Sequence, residues 1–420
     1  MRSADEGALD HPGWRVVSAG FMGVMLGYSV LIPYTFGIFL KPLASSFGWH
    51  RDSISIALSW VAVTIAFCAP FIGRLMDSFG PRLIILPCIV LFSLAFASLA
   101  LLGSNIWQMY ATFVILGLVG NGTTPLAYSG TVASWFYARR GVALSIISCG
   151  AGVGAMILPF LAAFLIHSFG WRSAYAILGL LVLCISFPLT ALLVRDSPDS
   201  SRLQKAVDWR TVKSAVKTKP FLFLVIAIFL YSVSFNAIIS HLVALLTDRG
   251  FTLQHSAAAV SIIGAFGLAG RLLTGPLLDR FFGPAVSFVL FCTTISGILL
   301  LSGSSVTGAY LSAGLLGFSA GGESDITPYL LSRYFGLSGF STLYGMAWTA
   351  FGIGTAVGPV FMGKLYVITG SYQAWGIRLL IAPVAISAVL MMLMPQYPSA
   401  FATGSQKPPR ELETTLSPAL

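Results

Sequence analysis

Arg271 stands alone in the apolar run from Ser261 to Gly275. A guanidinium does not give up its proton in hydrocarbon, so it must face a polar cavity or an anion, and an ionisable group at such a depth marks a functional site. Asp279 and Arg280 close the same apolar stretch. Arg271 precedes Asp279 by eight residues, roughly 12 Å of helix at ~1.5 Å per residue. A charge-assisted, bidentate grip on a carboxylate is the chemistry that suits it. A structural ion pair with Glu323 or Asp325 is the alternative, and the two can hold in turn, the acid being displaced when an external carboxylate arrives.

Glu323 and Asp325 lie at a similar depth in the stretch Gly321 to Pro328, ten and eight residues before Arg333. A carboxyl in low dielectric tends to take a proton and a nearby arginine opposes that, so either acid could exchange a proton. Either could equally be a standing partner of Arg271, or could bond backbone donors where the glycines break the helix. His241 is a third proton-relay candidate, against the simpler reading of a histidine bonded to a neighbouring helix. It follows Ser232, Asn236 and Ser240, which share one helix face. Tyr344, Trp348 and Phe351 form an aromatic stripe at helical spacing, as apt for packing as for binding. Asn121, Thr124 and Tyr128 share another face, and Tyr28 completes the polar candidates. The expected substrate ligands are Arg271, Tyr344, Trp348, Asn121, Tyr128, Tyr28 and Asn236.

These residues need helices to carry them. Hydrophobic residues make up 56% of the chain and charged residues 9%, with a mean hydropathy of +0.87. Long apolar stretches of about 20 residues read as transmembrane helices; a β-barrel would show short alternating segments. Twelve spans are expected, at about 16–40, 53–75, 83–103, 107–134, 141–166, 172–194, 221–247, 255–279, 284–304, 308–334, 340–367 and 373–395. With both termini cytoplasmic, 17 of the 24 Lys and Arg fall on that side, six outside and one, Arg271, within the membrane. That bias fixes the orientation and accounts for the net charge of +10 without nucleic acid; the expected location is a plasma (inner) membrane. Cys68, Cys88, Cys149, Cys184 and Cys292 all fall inside spans with no CxxC spacing, so neither disulfides nor a metal site is expected. No converging nucleophile, base or metal set appears, and no nucleotide motif, so neither an enzyme nor a cofactor is expected. Membrane lipid is an expected partner; an obligatory protein partner is not.

The chain divides at a polar segment. Residues 1–194 form a first six-helix bundle, 195–220 a cytoplasmic linker with a short surface helix around Trp209, 221–397 a second bundle, and 398–420 a cytoplasmic tail. The halves repeat at an offset of about 200–203 residues. Tyr28-Ser29-Val30 recurs as Tyr231-Ser232-Val233, Gly48-Trp49 as Gly250-Phe251, and Gly73, Asp77, Gly80 and Pro81 as Gly275, Asp279, Gly283 and Pro284. Gly117 and Pro125 pair with Gly317 and Pro328, and the Gly170–Tyr175 stretch with 370–375. Parallel six-span repeats belong to transporters that rock two halves about a central site. Glycines crowd spans five (Gly150, Gly152, Gly154) and eleven (Gly352, Gly354, Gly358), where small residues let helices approach and slide.

The segment Gly73 to Arg82 resembles the loop between spans two and three of the major facilitator superfamily, and the weaker copy around Asp279 fits as well. The resemblance covers roughly residues 14–395. The chain is most similar to the monocarboxylate porter and oxalate/formate antiporter branches, through Trp135 to Ser145 at the opening of span five and Gly267 to Arg271 in span eight. It departs where those porters carry Asp or Asn four residues before the arginine, which here is Gly267. It departs again where the oxalate exchanger keeps a span-eleven lysine, which here is Phe351. The resemblance implies a twelve-helix, two-bundle fold and secondary transport by alternating access. The expected cargo is a monocarboxylate held at Arg271 and imported with a proton through Glu323, Asp325 or His241. Exchange of organic anions and efflux are the alternatives. Asp77 with Arg82, and Asp279 with Arg280, are expected to be gates: carboxylates beside helix N-termini and facing arginines can clasp the halves together.

Overall fold

The computed structural model describes residues 6, 8, 10–195, 209–303, 305–369 and 374–398. Most of the linker, the tail beyond residue 398 and the 370–373 part of the last repeat match lie outside these residues. Sixteen α-helices follow one another among the described residues: α1 (Pro12–Met25), α2 (Tyr28–Phe47), α3 (Arg51–Phe79), α4 (Pro81–Ser98), α5 (Ile106–Gly120), α6 (Pro125–Trp135), α7 (Arg140–Leu181), α8 (Phe187–Leu193), α9 (Trp209–Val216), α10 (Lys219–Asp248), α11 (Leu253–Arg280), α12 (Gly283–Leu301), α13 (Val306–Tyr334), α14 (Phe340–Thr369), α15 (Ala374–Leu379) and α16 (Ile381–Met392).

Apolar continuity sets the helix lengths, and turn chemistry sets where they stop. Among the described residues eight helical stretches are long and apolar enough to cross a membrane; one, Arg140–Leu193, is 54 residues long. At ~1.5 Å per residue that would run roughly 80 Å, more than twice a bilayer's hydrocarbon core of about 30 Å. It folds back at Gly170, whose φ of 78° only glycine adopts without strain. Leu26 and Gly27 kink the first span between α1 and α2, and a 3₁₀ turn at Asn121–Thr123 before Pro125 breaks the fourth. The repeat is visible in the backbone. Gly48 and Gly250, matched in sequence, both end their helices with left-handed φ values of 68° and 86°. The outer surface is apolar: Phe67 is 69% exposed and Phe160 79%, as lipid-facing side chains would be. All five cysteines are free.

Helices α1–α8 pack on one another, as do α10–α16. Two helix pairs carry most of the contact between the groups, α3 with α14 and α7 with α11, and α6 and α7 also touch α13. Both pairs work through small residues. Gly73 abuts the Ser341 carbonyl, Gly345 abuts the Ala69 carbonyl, and Gly352 faces Ala66. Thr349 donates to the Ala66 carbonyl at 2.6 Å. On the other side Gly141 faces Gly275, Gly275 abuts Ser145, and Gly152 meets Leu268. The glycines of the fifth and eleventh spans thus divide their work in parallel. Gly152 and Gly352 face the opposite bundle; Gly154 packs on the Met25 carbonyl and Gly354 on Phe229, each inside its own bundle. The linker helix α9 lies against the turn before α14, with Val212 against Gly339.

Candidate functional site

Following the joining faces along each helix shows where the bundles meet and part. At the end carrying Asp77 and Asp279 they are in contact through Gly152 and Leu268 on one side and Ala66 and Gly352 on the other. One turn further along α11 the contact ends. Nothing lies within 4 Å of a Cβ built on Gly264, and Val63 and Met156 are 65% and 64% exposed. Arg271 lies on the aspartate side of the Gly152–Leu268 contact, between that contact and the Gly141–Gly275 contact.

Four helices converge on it. Arg271 Nη1 donates to the Ser148 carbonyl of α7. Asp325 of α13 is fully buried, and its Oδ2 accepts the Ser145 hydroxyl of α7 at 2.7 Å. Glu323 is 5% exposed, and its charged neighbours are Asp325 and Arg271. Among the described residues no donor is bonded to its carboxyl. Tyr344 of α14 is buried near Ser129 and lies within electrostatic reach of Asp325, Glu323 and Arg271. Trp348 crosses Tyr344 edge-on at 6.2 Å and stacks on Phe351 at 5.6 Å. Helix α13 runs unbroken through Gly321 and Gly322. The glycines do not break it; Gly321 lets it close onto the Gly267 carbonyl.

Other candidates sit elsewhere. Asn121 is wholly buried and donates to the Ile65 carbonyl at 2.8 Å, tying the fourth span to α3. Tyr128 points into the first bundle, its ring against Gly23 and its hydroxyl 3.3 Å from Thr190 Oγ1. Tyr28 packs on Gly120. The polar face of α10 turns toward α14 of its own bundle: Ser232 donates to the Phe351 carbonyl at 2.8 Å, Asn236 donates back to Ser232, and His241 Nε2 lies 3.2 Å from the Pro359 carbonyl. Ser240, on the same stripe, is exposed and donates within α10 to the Asn236 carbonyl at 2.6 Å. Tyr128→Phe removes one long hydrogen bond and is expected to leave transport within about twofold of the parent, a net neutral hydrogen bond being worth about 1 kcal/mol or less to the fold. Initial uptake rates, normalised to protein, check this.

The two aspartates form a reciprocal pair across the bundles. Asp77 of α3 caps the start of α14, accepting Ser341 N at 3.0 Å, Thr342 N at 2.7 Å and Thr342 Oγ1 at 2.6 Å. Asp279 of α11 caps the start of α7, accepting Gly141 N at 2.6 Å and Val142 N at 3.0 Å. Carboxylates at helix N-termini meet orphan amides and the positive end of the dipole. The expected arginines are not the ones beside them. Arg82 donates to the Ala191 carbonyl at 2.6 Å in its own bundle, where the last turn of α8 offers unpaired carbonyls. Arg280 is exposed in the last turn of α11. The positive charges near Asp279 are Arg333 and the buried Arg140. Arg333 lies 4.7 Å over the Tyr137 ring across the bundles and donates to its carbonyl at 3.4 Å. Glu6 fixes that same turn, accepting the amides of Tyr137, Ala138 and Arg139 at 3.0, 2.9 and 3.0 Å.

Sequence reasoning missed Ser145, Ser148, Glu6, Arg140 and Arg333. One signal was available. Gly141, Ser145, Ser148 and Gly152 form a single small-residue stripe on α7, facing Leu268, Arg271, Gly275 and Asp279 at matching spacing on α11.

Two bundles, a pseudo-repeat and charges at their meeting plane define a membrane transporter of the rocking type. Residues 17–359 match the Major Facilitator Superfamily, and the chain belongs to it. It is a multi-pass membrane transport protein, not an enzyme. It is 27% identical to Monocarboxylate transporter 13 of Rattus norvegicus over 412 residues, covering 94% of this chain and 92% of that protein. In fold it is similar to the E. coli fucose:proton symporter FucP, with a TM-score of 0.71 at 15% identity over 94% of this chain and 100% of that one. It is also similar to the human organic anion transporter MFSD10, with a TM-score of 0.70 at 17% identity over 90% and 99%.

Proposed function

We propose that this protein imports a small monocarboxylate, aliphatic or aromatic, together with a proton, by alternating access. The observation that carries this reading is the position of Arg271: a half-buried cation at the meeting plane of the two bundles, beside the buried carboxyls of Glu323 and Asp325. Residues 1–194 and 221–397 are the rocking units, joined by a linker at 195–220. Both termini are cytoplasmic, the positive-charge bias supporting that orientation, in a plasma (inner) membrane. On that reading the aspartate end faces the cytoplasm, Asp77 and Asp279 hold it shut, and the conformation is outward-facing.

One cation suits one carboxylate, and the Tyr344, Trp348 and Phe351 stack offers an apolar surface for the remainder of the molecule. The resemblance to monocarboxylate porters lacks an acid at Gly267. Glu323 and Asp325 supply carboxyls from the adjoining helix instead, where the α11–α13 approach at Gly267 and Gly321 brings α13 close. Proton coupling is assigned to these acids in preference to His241, which is bonded to a backbone carbonyl.

Uptake in proteoliposomes tests the reading. A panel of mono- and dicarboxylates is offered with and without an inward proton gradient, alongside Glu323→Gln and Asp325→Asn. Gradient-driven accumulation of a monocarboxylate is expected, reduced to simple equilibration in at least one acid variant. Full accumulation by both variants would refute proton coupling through these residues. Uptake that depends only on internal anion would mark an exchanger.

A further inference from the structure

Helix α7 of the first bundle holds both charges of the second. The Ser148 carbonyl accepts Arg271, and the Ser145 hydroxyl donates to Asp325 Oδ2 at 2.7 Å. The two contacts are one turn apart, and both cross the bundle boundary, inside the cap that Asp279 places on Gly141 and Val142.

We propose that these two contacts are a double lock, each released by one of the two transported species, with Ser145 as the residue that makes the charge of Asp325 part of bundle closure. The inference rests on the proton-coupled monocarboxylate reading. An arriving carboxylate offers Arg271 a charged, bidentate partner in place of a single backbone carbonyl, and so withdraws it from Ser148. A proton on Asp325 turns a charge-assisted acceptor into a neutral one, about half as strong, and so loosens Ser145. With the proton alone, Arg271 still holds Ser148. With the carboxylate alone, Asp325 still holds Ser145. Each contact released raises the open population at the aspartate end, only the doubly loaded protein opens as its main state, and the empty, deprotonated protein returns to the closed arrangement. That is the logic symport requires: half-loaded forms must not cross.

The groups facing Asp325 are consistent with one titrating site. Arg271 of α11 lies within its field. Glu323 on its own helix, Tyr344 of α14 and Cys149 of α7 lie within its field, and Ser145 and Ser148 supply the local hydroxyls. Asp279 and Arg333 belong to the caps further along and do not face it. Ser145 touches no candidate substrate ligand, so it acts as a positioning residue.

Ser145→Ala removes one lock and leaves Arg271 and both acids in place. Downhill monocarboxylate uptake is expected to stay within about threefold of the parent, while proton-driven accumulation falls at least fivefold toward equilibration. The transporter then slips, and Ser145→Thr restores coupling. A second readout needs no substrate. Spin labels at Phe79→Cys and Phe281→Cys, in a background free of native cysteines, report opening of the aspartate end. In the parent, the open population should rise as pH falls. In Ser145→Ala it should already be about tenfold higher at alkaline pH and largely insensitive to acidification, as expected when a charge-assisted hydrogen bond is lost. Accumulation by Ser145→Ala equal to the parent's, or an unchanged distance distribution, overturns the proposal. Should the parent accumulate no carboxylate at all, the distances still decide. A tenfold shift sustains the Ser145 lock with only the substrate reading lost, and no shift overturns it.

Discussion

Arg271→Gln is expected to lower monocarboxylate uptake, as kcat/KM, by roughly 30- to 4,000-fold. That range follows from the 2–5 kcal/mol cost of truncating one partner of a buried, hydrogen-bonded charge pair, at about 1.4 kcal/mol per tenfold. Arg271→Lys should recover only part of the loss, because an ammonium is a strongly hydrated point charge without the planar fork that grips a carboxylate with two bonds. The folding cost should be small. Glutamine can still donate toward the Ser148 carbonyl, and the buried carboxyls of Glu323 and Asp325, which lose their cation, can take protons instead of staying charged. Thermal unfolding within a few degrees of the parent would separate a site effect from a misfolded protein. Uptake by Arg271→Gln within fivefold of the parent would demote the guanidinium to a brace between α7 and α11.

The sequence disclosed what depends on local pattern. Apolar run length gave the helices, the 200–203 offset gave the pseudo-repeat, and the isolation of Arg271 among apolar neighbours marked it. The Asp77 and Asp279 positions were legible because their motifs recur at the repeat spacing, and both do meet helix N-termini. Their cationic neighbours were not. Pairing Asp77 with Arg82 and Asp279 with Arg280 relied on proximity along the chain. In the fold, Arg82 turns back to α8 and Arg280 outward, while Arg140 and Arg333 come in from other helices. Helical periodicity says which residues share a face, not which helix that face meets. The same gap explains α10. On its polar stripe Ser232 and His241 meet carbonyls of α14, a partner helix that the periodicity did not name. Ser145 and Ser148 escaped notice because a small polar residue on a packing stripe looks the same whether or not a buried charge lies opposite.

Asp77→Asn and Asp279→Asn should each lower turnover about tenfold or more while the apparent affinity for substrate stays within about threefold. Each carboxylate takes backbone amides at the first turn of a helix from the other bundle. Hydrogen bonds to charged groups are worth about 1.5–3 kcal/mol, so losing one clasp shifts the balance between the two end states by roughly 10- to 100-fold at 1.4 kcal/mol per decade. An asparagine keeps one acceptor, but its amide then confronts a second backbone donor, Thr342 N in one clasp and Val142 N in the other. The substrate ligands lie about 12 Å further in by helical rise, which is why affinity should be spared. The slowed step is the return to the state closed at the aspartate end, the state these caps stabilise. The two clasps share no residue and sit on different helix pairs, so their effects should add in free energy. The double variant should then show the product of the single effects, read as the open population between labels at Phe79→Cys and Phe281→Cys. A large loss of affinity with normal turnover would contradict a gating role. A double variant no worse than either single would mean that both caps act on one element, and that the bundles do not close as a reciprocal pair.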